Sequence, residues 1–133
     1  MARLGRLEQP LEHPELVAEL DGKLAGVLTY VIDGDGCEIL TLHAAAQWRG
    51  AGTALIERVE RVAAEHGCRR LWLVTTNDNV DALRFYQRRG FRLARINAGA
   101  IDEARASLKP EIPEVGNYGI PIRDELIPEK EIA

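Results

Sequence analysis

The chain has 133 residues, the length of one domain that buries a core of its own. Its 17 basic and 21 acidic side chains give a formal charge of −4, which argues against a nucleic-acid-binding protein held by phosphate contacts. The composition is typical of a globular chain. No apolar run of about 18 residues indicates a membrane span, and the start lacks the apolar stretch of about 7–15 residues of a signal peptide. We expect a cytoplasmic protein that binds neither nucleic acid nor membrane.

The net charge is distributed unevenly along the chain. Residues 1–44 hold 3 basic and 8 acidic side chains, residues 45–95 hold 10 and 5, and residues 96–133 hold 4 and 8. Solvated surface faces produce such counts. A basic central segment that binds an anion produces them as well, so both interpretations stay open at this point.

The number and spacing of the cysteines and histidines predict neither a disulfide nor a metal site. Without an export signal, we expect Cys37 and Cys68 to be free thiols in a reducing compartment. The three histidines are scattered, and the chain has neither a Cys-x-x-Cys nor a His-Glu-x-x-His motif. We therefore expect no metal site.

The first third of the chain predicts an antiparallel meander. Turn signals at Asp21-Gly22 and within residues 33–36 separate three strand-like runs, which are Leu16–Asp21, Lys23–Ile32 and Cys37–His43. Gly26, inside the second run, indicates a bulge or a close approach of the backbone.

The hydrophobic period then changes to that of a helix. Gly52–His66 is predicted to be an amphipathic helix that Gly67 ends, and Leu71–Thr75 to be a buried central strand. A second helix, Asp81–Arg89, is expected to be capped by the side chains of Asn77-Asp78-Asn79, and Phe91–Ile96 is strand-like. This order of strands and helices predicts a partly parallel, mixed sheet.

The last 37 residues are less regular. Ile101–Leu108 is predicted to form two helical turns, and residues 110–116 contain prolines and a glycine that break regular structure. Gly119–Ile132 is strand-like, but Pro121 and Pro128 predict an edge strand.

A glycine-rich loop joins the third strand to the first helix and reads RGAGTA over residues 49–54. Its small residues permit a ligand to approach the backbone, and the first helical turn offers N–H groups and the positive end of the helix dipole, so the loop suits a phosphate. It lacks the Gly-Lys-Ser/Thr ending of a Walker A loop and the spacing of a dinucleotide fingerprint. It fits the pattern Arg/Gln-x-x-Gly-x-Gly/Ala. A glycine-rich turn without a ligand is the alternative.

A second motif begins 30 residues after Arg49 and reads NVDALRFYQRRGF over residues 79–91. Alone, this segment describes a capped amphipathic helix with aromatic core residues. Together with the loop, in this order and at this spacing, it resembles the GNAT superfamily of acetyl-CoA-dependent N-acetyltransferases, over roughly residues 16–96.

The resemblance implies a fold, from which this sequence is expected to depart at its start. The implied GNAT fold is of the α/β (α+β) class, a mixed, mostly antiparallel twisted sheet with helices on both faces. We expect one domain over residues 1–133, with a core over 16–96 and a C-terminal insertion and last strand over 97–133. The residues before Leu16 are too few for the family's opening strand and two helices, so we expect the first helix pair to be missing or reduced.

The resemblance also implies an acetyl-CoA site. The pantetheine arm would lie along the backbone of Leu42, His43 and Ala44. Main-chain N–H groups would hold the pyrophosphate, and they belong to Arg49, Gly50, Ala51, Gly52, Thr53 and Ala54. Asn79 would bond the pantetheine or the acetyl group, and Arg84 would lie near a phosphate, although a solvated surface arginine is an equal alternative.

Two catalytic residues follow from the resemblance and from acid–base chemistry. Tyr86 would protonate the leaving thiolate, and its alternative is a core tyrosine. Because an acceptor amine is mostly protonated at pH 7, a base must take its proton, and Glu38 is the candidate. The alternative for Glu38 is a plain exposed strand position. His43 is a weaker candidate because side chains alternate in direction along a strand.

Two functions are consistent with these motifs. The first is direct transfer of acetyl to a primary amine in a ternary complex, with a strand N–H near Leu42 polarising the thioester. The second is a CoA-binding module that has lost catalysis and serves regulation or assembly. Polyamines, aminoglycosides, amino acids, protein N-termini and lysine all stay open as acceptors. We hypothesise that residues 99–117 close over the acceptor site, and that a missing helix pair favours a homodimer.

Overall fold

The structure, a computed structural model, describes residues 2–3, 6–7, 13–45 and 50–132. The chain forms two compact units. Residues 9–72 with 131–133 make the meander unit, and residues 1–8 with 73–130 make the C-terminal unit. The single domain expected from the sequence stays a prediction. Two short strands, β1 (Ala2–Arg3) and β2 (Arg6–Leu7), pair antiparallel at the start of the chain.

The meander unit contains the three antiparallel strands that the sequence predicts. These are β3 (Glu15–Leu20), β4 (Lys23–Asp33) and β5 (Gly36–Ala44). The turn between β3 and β4 has two residues, Asp21 and Gly22, with φ of 52° and 75°. Positive φ at both positions matches the right-handed twist of a hairpin, so this turn fixes the register of the two strands.

The first helix, α1 (Ala51–Glu65), packs its apolar side on this sheet. It buries Leu55, Ile56, Val59, Val62 and Ala63. At its end, Gly67 has φ of 80°, and the N–H groups of Gly67 and Cys68 donate to the carbonyls of Ala64 and Ala63. This is a Schellman cap, and it confirms the predicted helix stop.

At Gly26, β4 lies close to both β5 and α1. A methyl group at this position would lie 3.0 Å from the carbonyl oxygen of His43 and 3.0 Å from Cδ1 of Leu55. The close approach predicted from the sequence is confirmed, and a register shift between Ala18 and Glu19 lies beside it. The same contact shows that the Gly26 side of β4 faces α1.

Both cysteines lie in the core of the meander unit as free thiols. Burial, with a smaller contribution from Cys68, raises the pKa of Cys37 to about 12. Burial, with a smaller contribution from Asp35, also raises the pKa of Cys68. A thiol with a raised pKa is a poor nucleophile, so neither cysteine offers an acyl-enzyme route.

The predicted strand Leu71–Thr75 is divided in two. It forms β6 (Arg70–Leu73) and the two-residue strand β7 (Thr75–Thr76), with Val74 between them. The N–H of Arg69 donates to the carbonyl of Asp35 at 2.6 Å, which places the start of β6 beside the start of β5.

The C-terminal unit continues with α2 (Val80–Arg88), β8 (Arg92–Asn97), α3 (Ala100–Ser107) and β9 (Glu125–Glu131). β9 pairs antiparallel with both β7 and β8, so the predicted edge position is wrong. Pro128 is fully buried opposite Leu93, and the register shifts between Leu93 and Arg95. A proline removes one ladder hydrogen bond, and a bulge accommodates that loss inside a sheet.

The side chains of residues 77–79 do not cap α2, which corrects the capping prediction. Asn79 occupies the N-cap position without a side-chain cap bond, and its amide donates to Oγ1 of Thr75. Asn77 binds the distant segment 121–124 instead: its Oδ1 accepts from the N–H groups of Arg123 and Asp124, and its Nδ2 donates to the carbonyl of Pro121. The side chains of Asn77 and Asn79 therefore bond to other parts of the unit, and not to the N–H groups of the first turn of α2.

Asp78 and Asp81 complete this attachment of the C-terminal segment. The buried carboxylate of Asp78 accepts from the N–H of Asn117 at 3.0 Å, and that of Asp81 accepts from the hydroxyl of Tyr118 at 2.7 Å. Tyr118 has φ of 58°, a left-handed conformation that costs free energy in a non-glycine residue. Residues 117–124 are thereby held against the start of α2.

Candidate functional site

The glycine-rich loop opens α1 as the sequence predicts. Gly50 is the N-cap residue, with φ of 91°, and its carbonyl accepts from the N–H of Ala54 at 2.9 Å. A methyl group added at Gly50 would meet no atom within 4 Å, and the first turn contains no acidic residue. The positive end of the α1 dipole is therefore reachable and has no carboxylate in its own first turn. Arg49 lies outside the described residues.

The end of β5 is the second predicted part of the site. Its backbone pairs with β4, where Leu28 is opposite Leu42, Val27 opposite His43 and Gly26 opposite Ala44. β6 has four residues against the nine of β5, and it begins beside the start of β5. At about 3.3 Å per residue, β6 is too short to reach Leu42–Ala44. At Leu42–Ala44, β6 therefore does not pair with the edge of β5 that faces away from β4.

A bulge in β5 changes which of its side chains share a face. β4 pairs Thr29 with Thr41 and Val31 with Glu38, so a step of two residues in β4 matches a step of three in β5. The extra residue is Leu40. Because directly paired residues lie on the same face, Glu38 and Thr41 project to the same side.

His43 lies on this face too, which corrects the reason for setting it aside. His43 and Glu38 are five residues apart, and in a regular strand they would face opposite sides. The extra residue of the bulge reverses this, so both lie on the same face. The face is the one opposite α1, because Gly26 contacts Leu55 of that helix.

Glu38 is buried, with 7% of its surface exposed, so the alternative of a plain exposed strand position is wrong. His43, five residues further along β5, is exposed. The two acid–base candidates therefore lie at opposite ends of one row on the same face.

The C-terminal unit holds the other predicted site residues. Asn79 begins α2, and Arg84 on that helix is 72% exposed and lies 3.8 Å from Asp81. Tyr86 is 6% exposed, and its ring makes edge-on contacts with Phe85 and Phe91 at centroid distances of 5.1 and 5.2 Å. Burial raises the pKa of Tyr86 to about 12.

Each unit therefore brings some of the predicted residues together. The meander unit contains Gly50–Ala54, Leu42–Ala44 and Glu38, and the C-terminal unit contains Asn79, Arg84 and Tyr86. Thr29 and Thr41, whose hydroxyl oxygens are 2.6 Å apart on the Glu38 face, were not predicted from the sequence. Cross-strand threonines carry no signal until the register of the two strands is known.

Comparison with known proteins decides the family. The model of the acetyltransferase (GNAT) family matches residues 3–91. The chain belongs to the GNAT acetyltransferase family. The uncharacterized protein YdhI of Bacillus subtilis (strain 168) is 49% identical over 106 residues, which cover 80% of this chain and 66% of YdhI. The GNAT chain thus spans about two thirds of the length of that relative.

Solved GNAT structures share the fold. An IAA acetyltransferase from Bacillus cereus ATCC 14579 superposes with a TM-score of 0.72 at 25% identity, covering 88% of this chain and 76% of that one. A GNAT family acetyltransferase from Elizabethkingia anophelis with acetyl-CoA bound has a TM-score of 0.75 at 21% identity, with coverages of 88% and 74%. The predicted mixed α/β class with a mostly antiparallel sheet is confirmed.

The described residues contain neither a candidate membrane-spanning helix nor a candidate metal-binding cluster. No helix there is long and apolar enough to cross a bilayer. Within the same ranges, no group of three or more His, Cys, Asp or Glu side chains is arranged to hold a metal ion.

Proposed function

We propose that this GNAT chain transfers an acetyl group from acetyl-CoA to a primary amine by direct attack in a ternary complex. Family membership supports acetyl transfer in general. The observation that carries the proposal is the start of α1, where Gly50 leaves open space beside a helix N-terminus that has no acidic residue in its first turn. Such a terminus stabilises phosphate oxygens.

The residues present fit acetyl-CoA, which supplies the acetyl thioester when bound. Main-chain N–H groups of residues 50–54 would hold the pyrophosphate, with Arg49 preceding them. The backbone of Leu42, His43 and Ala44 would hold the pantetheine as an added strand, since β6 is too short to cover that part of β5. The N–H of Leu42 would polarise the thioester carbonyl, and Asn79 and Arg84 would contact the cofactor from the C-terminal unit.

Tyr86 would donate a proton to the departing sulfur. Its pKa of about 12 keeps the phenol protonated near pH 7, so the hydroxyl has a proton to give. The edge-on contacts with Phe85 and Phe91 hold the ring in one orientation. Both properties suit a proton donor that must not ionise between turnovers.

Glu38 would be the final acceptor of the amine's proton. It is the buried carboxylate on β5, the strand that leads to the proposed pantetheine residues. The acceptor would be a cationic amine before the proton leaves, with a pKa of about 10.4 for a lysine side chain. Removal of that proton is therefore a required step.

One observation favours the alternative, a CoA-binding module without catalysis. Tyr86 is buried between two phenylalanines, which is also the environment of an ordinary core tyrosine. The two functions differ in whether Tyr86 affects the rate of acetyl transfer or only the stability of the fold.

Replacement of Tyr86 by phenylalanine separates them. We expect Tyr86→Phe to lower kcat for transfer to an amine panel by roughly a hundredfold or more, with CoA affinity nearly unchanged, because one general acid is lost. Steady-state kinetics and calorimetry measure the two quantities. Tyr118→Phe is the matched control, since Tyr118 is 71% exposed and its hydroxyl binds Asp81.

Each result has a distinct meaning. A wild-type rate in Tyr86→Phe removes Tyr86 from the mechanism. A wild-type protein that binds CoA but acetylates no amine of the panel supports the binding module.

A further inference from the structure

Glu38 lies too far from the proposed reaction centre to take the proton of the amine directly. The thioester would lie near Leu42 and His43, whereas Glu38 pairs with Val31, four residues along β4 from the partner of His43. Four residues of antiparallel strand span about 13 Å. A base acts within about 3 Å or through an intermediate group, so a proton needs a path between the two ends.

A pair of hydroxyls occupies the middle of that distance. Oγ1 of Thr29 and Oγ1 of Thr41 are 2.6 Å apart, and Thr29 is 3% exposed. One hydroxyl hydrogen makes this bond, so the pair retains a second hydrogen and further lone pairs for neighbouring groups. Each hydroxyl of the pair can accept a proton on its oxygen and donate its own hydrogen.

The register of β4 and β5 fixes the order of the side chains in this row. The bulge at Leu40 puts the side chains of Glu38, the Thr29–Thr41 pair and His43 on one face. They follow one another along the strand as one row, with about 7 Å from each position to the next. Glutamate and histidine side chains are long enough to extend toward the row between them. His43, at the open end, is exposed to an acceptor and to water.

The other end of the row offers no basic nitrogen. A methyl group at Gly36, two residues before Glu38, would lie 3.3 Å from Nε of Arg70 and 3.3 Å from Nε1 of Trp72. A guanidinium and an indole N–H donate hydrogen bonds but do not accept protons near neutral pH. Two carboxylates lie at that end: Asp35, whose Oδ1 is 3.9 Å from Nε of Arg70, and Asp33, which pairs with Gly36 at the exposed turn and provides a control.

We propose that His43 and the Thr29–Thr41 hydroxyl pair carry the proton of the acceptor ammonium to Glu38, an inference that rests on the proposed acetyl transfer. One ring nitrogen of neutral His43 takes the ammonium proton, and the other gives its proton to a threonine oxygen. The hydroxyl hydrogen of that threonine passes to the second threonine, whose own hydrogen passes to the Glu38 carboxylate. The amine is then neutral, Glu38 is a carboxylic acid, and His43 and both threonines are again neutral. Between turnovers the reverse shift releases the proton to water at His43.

Kinetics of isosteric variants test this path. We expect Thr41→Val and Thr29→Val each to lower kcat roughly tenfold or more with the KM for acetyl-CoA unchanged, and the Thr→Ser variants to restore the wild-type value. His43→Ala should lose a similar factor, and added imidazole should restore it. Asp33→Asn, at the other end of the row, should keep the wild-type kcat. Wild-type kcat in both valine variants, or a loss in Asp33→Asn without one in His43→Ala, overturns the proposal.

A second measurement does not depend on activity. We expect NMR to detect the hydroxyl protons of the buried Thr29 and the half-buried Thr41, and their exchange with water to become severalfold slower in His43→Ala than in wild type or Asp33→Asn. Equal exchange rates in the three proteins contradict the path. If wild type acetylates no amine but the exchange result holds, the proton path stands and the proposed acetyl transfer fails.

Discussion

At the scale of single residues, burial sets the acid–base behaviour of Tyr86. Its ring is 6% exposed, and removal from water disfavours the charged phenolate, which raises its pKa from 10.0 to about 12. The raised pKa also links this residue to the stability of the fold. The neutral form is favoured in the folded protein, so the associated stabilisation is present below pH 10 and is lost as pH rises toward 12.

A pH series of unfolding measurements tests this link. Between pH 10 and 12 we expect the unfolding free energy of wild type to fall by up to about 2.7 kcal/mol more than that of Tyr86→Phe, at about 1.4 kcal/mol per pH unit. Because the pKa of Cys37 is also raised, the difference between the two proteins is the relevant quantity. Chemical denaturation at each pH measures it. Parallel curves for wild type and Tyr86→Phe contradict the burial of the hydroxyl.

Residue-scale predictions from sequence succeed where the cause is local. Gly67 and Gly90 end helices at φ of 80° and 94°, a conformation that glycine adopts without strain. Asn77 shows the opposite case, because its side chain binds residues 44 to 47 positions away. No local pattern distinguishes such a contact from an N-cap, so the capping prediction was wrong.

At the scale of elements, the segment 117–124 depends on its attachment to the start of α2. The Asn77 side chain makes three hydrogen bonds to this segment and its backbone N–H a fourth, to the carbonyl of Asp124, and the side chains of Asp78 and Asp81 add one each. Gly116 lies so close to Asp78 that a methyl group there would be 2.8 Å from Cγ of the carboxylate. These contacts make residues 117–124 an ordered element of the C-terminal unit.

Removal of the Asn77 amide should loosen that element. We expect Asn77→Ala to destabilise the protein by about 1–3 kcal/mol, at about 1 kcal/mol per net hydrogen bond, and to raise amide exchange at Arg123 and Asp124. Asn97→Ala, at the end of β8, is the control and should change stability by less than about 1 kcal/mol. Denaturant titration and hydrogen exchange measure both effects. Unchanged exchange at residues 123–124 in Asn77→Ala argues against this attachment.

The strands show the same division between local and distant causes. β3, β4 and β5 follow from alternation and from turn residues such as Asp21 and Gly22, which act within a few positions. Pro128 predicts an edge strand, yet β9 pairs on both sides because a register shift lies beside the proline. The bulge at Leu40 is equally invisible in sequence, and with it the shared face of Glu38 and His43.

At the scale of the whole molecule, the formal charge of −4 averages over segments of opposite sign. Residues 45–95 hold 10 basic and 5 acidic side chains, and both cofactor motifs lie in this range. A ligand with phosphate groups would be attracted by this excess of positive charge. The predicted amine acceptor, dimer and closure by residues 99–117 stay predictions.

Ionic strength tests the electrostatic part of this account. We expect the affinity for CoA to fall severalfold between low salt and about 0.5 M salt, because the Debye length shrinks to a few ångström and screens exposed groups such as Arg84. Calorimetric titration at several salt concentrations measures the slope. An affinity that does not change with salt means that the basic segment contributes no long-range attraction.

The central claim is that the start of α1 binds the phosphates of acetyl-CoA, and calorimetry of CoA binding to Ala54→Glu tests it most directly. Ala54 is exposed on the first helical turn, where a carboxylate interacts favourably with the helix dipole, so folding is preserved. The same carboxylate repels a phosphate. We predict that Kd for CoA rises at least about tenfold in Ala54→Glu and stays near the wild-type value in Ala64→Glu, an exposed position near the other end of α1. Equal Kd values in wild type and both variants would contradict the account.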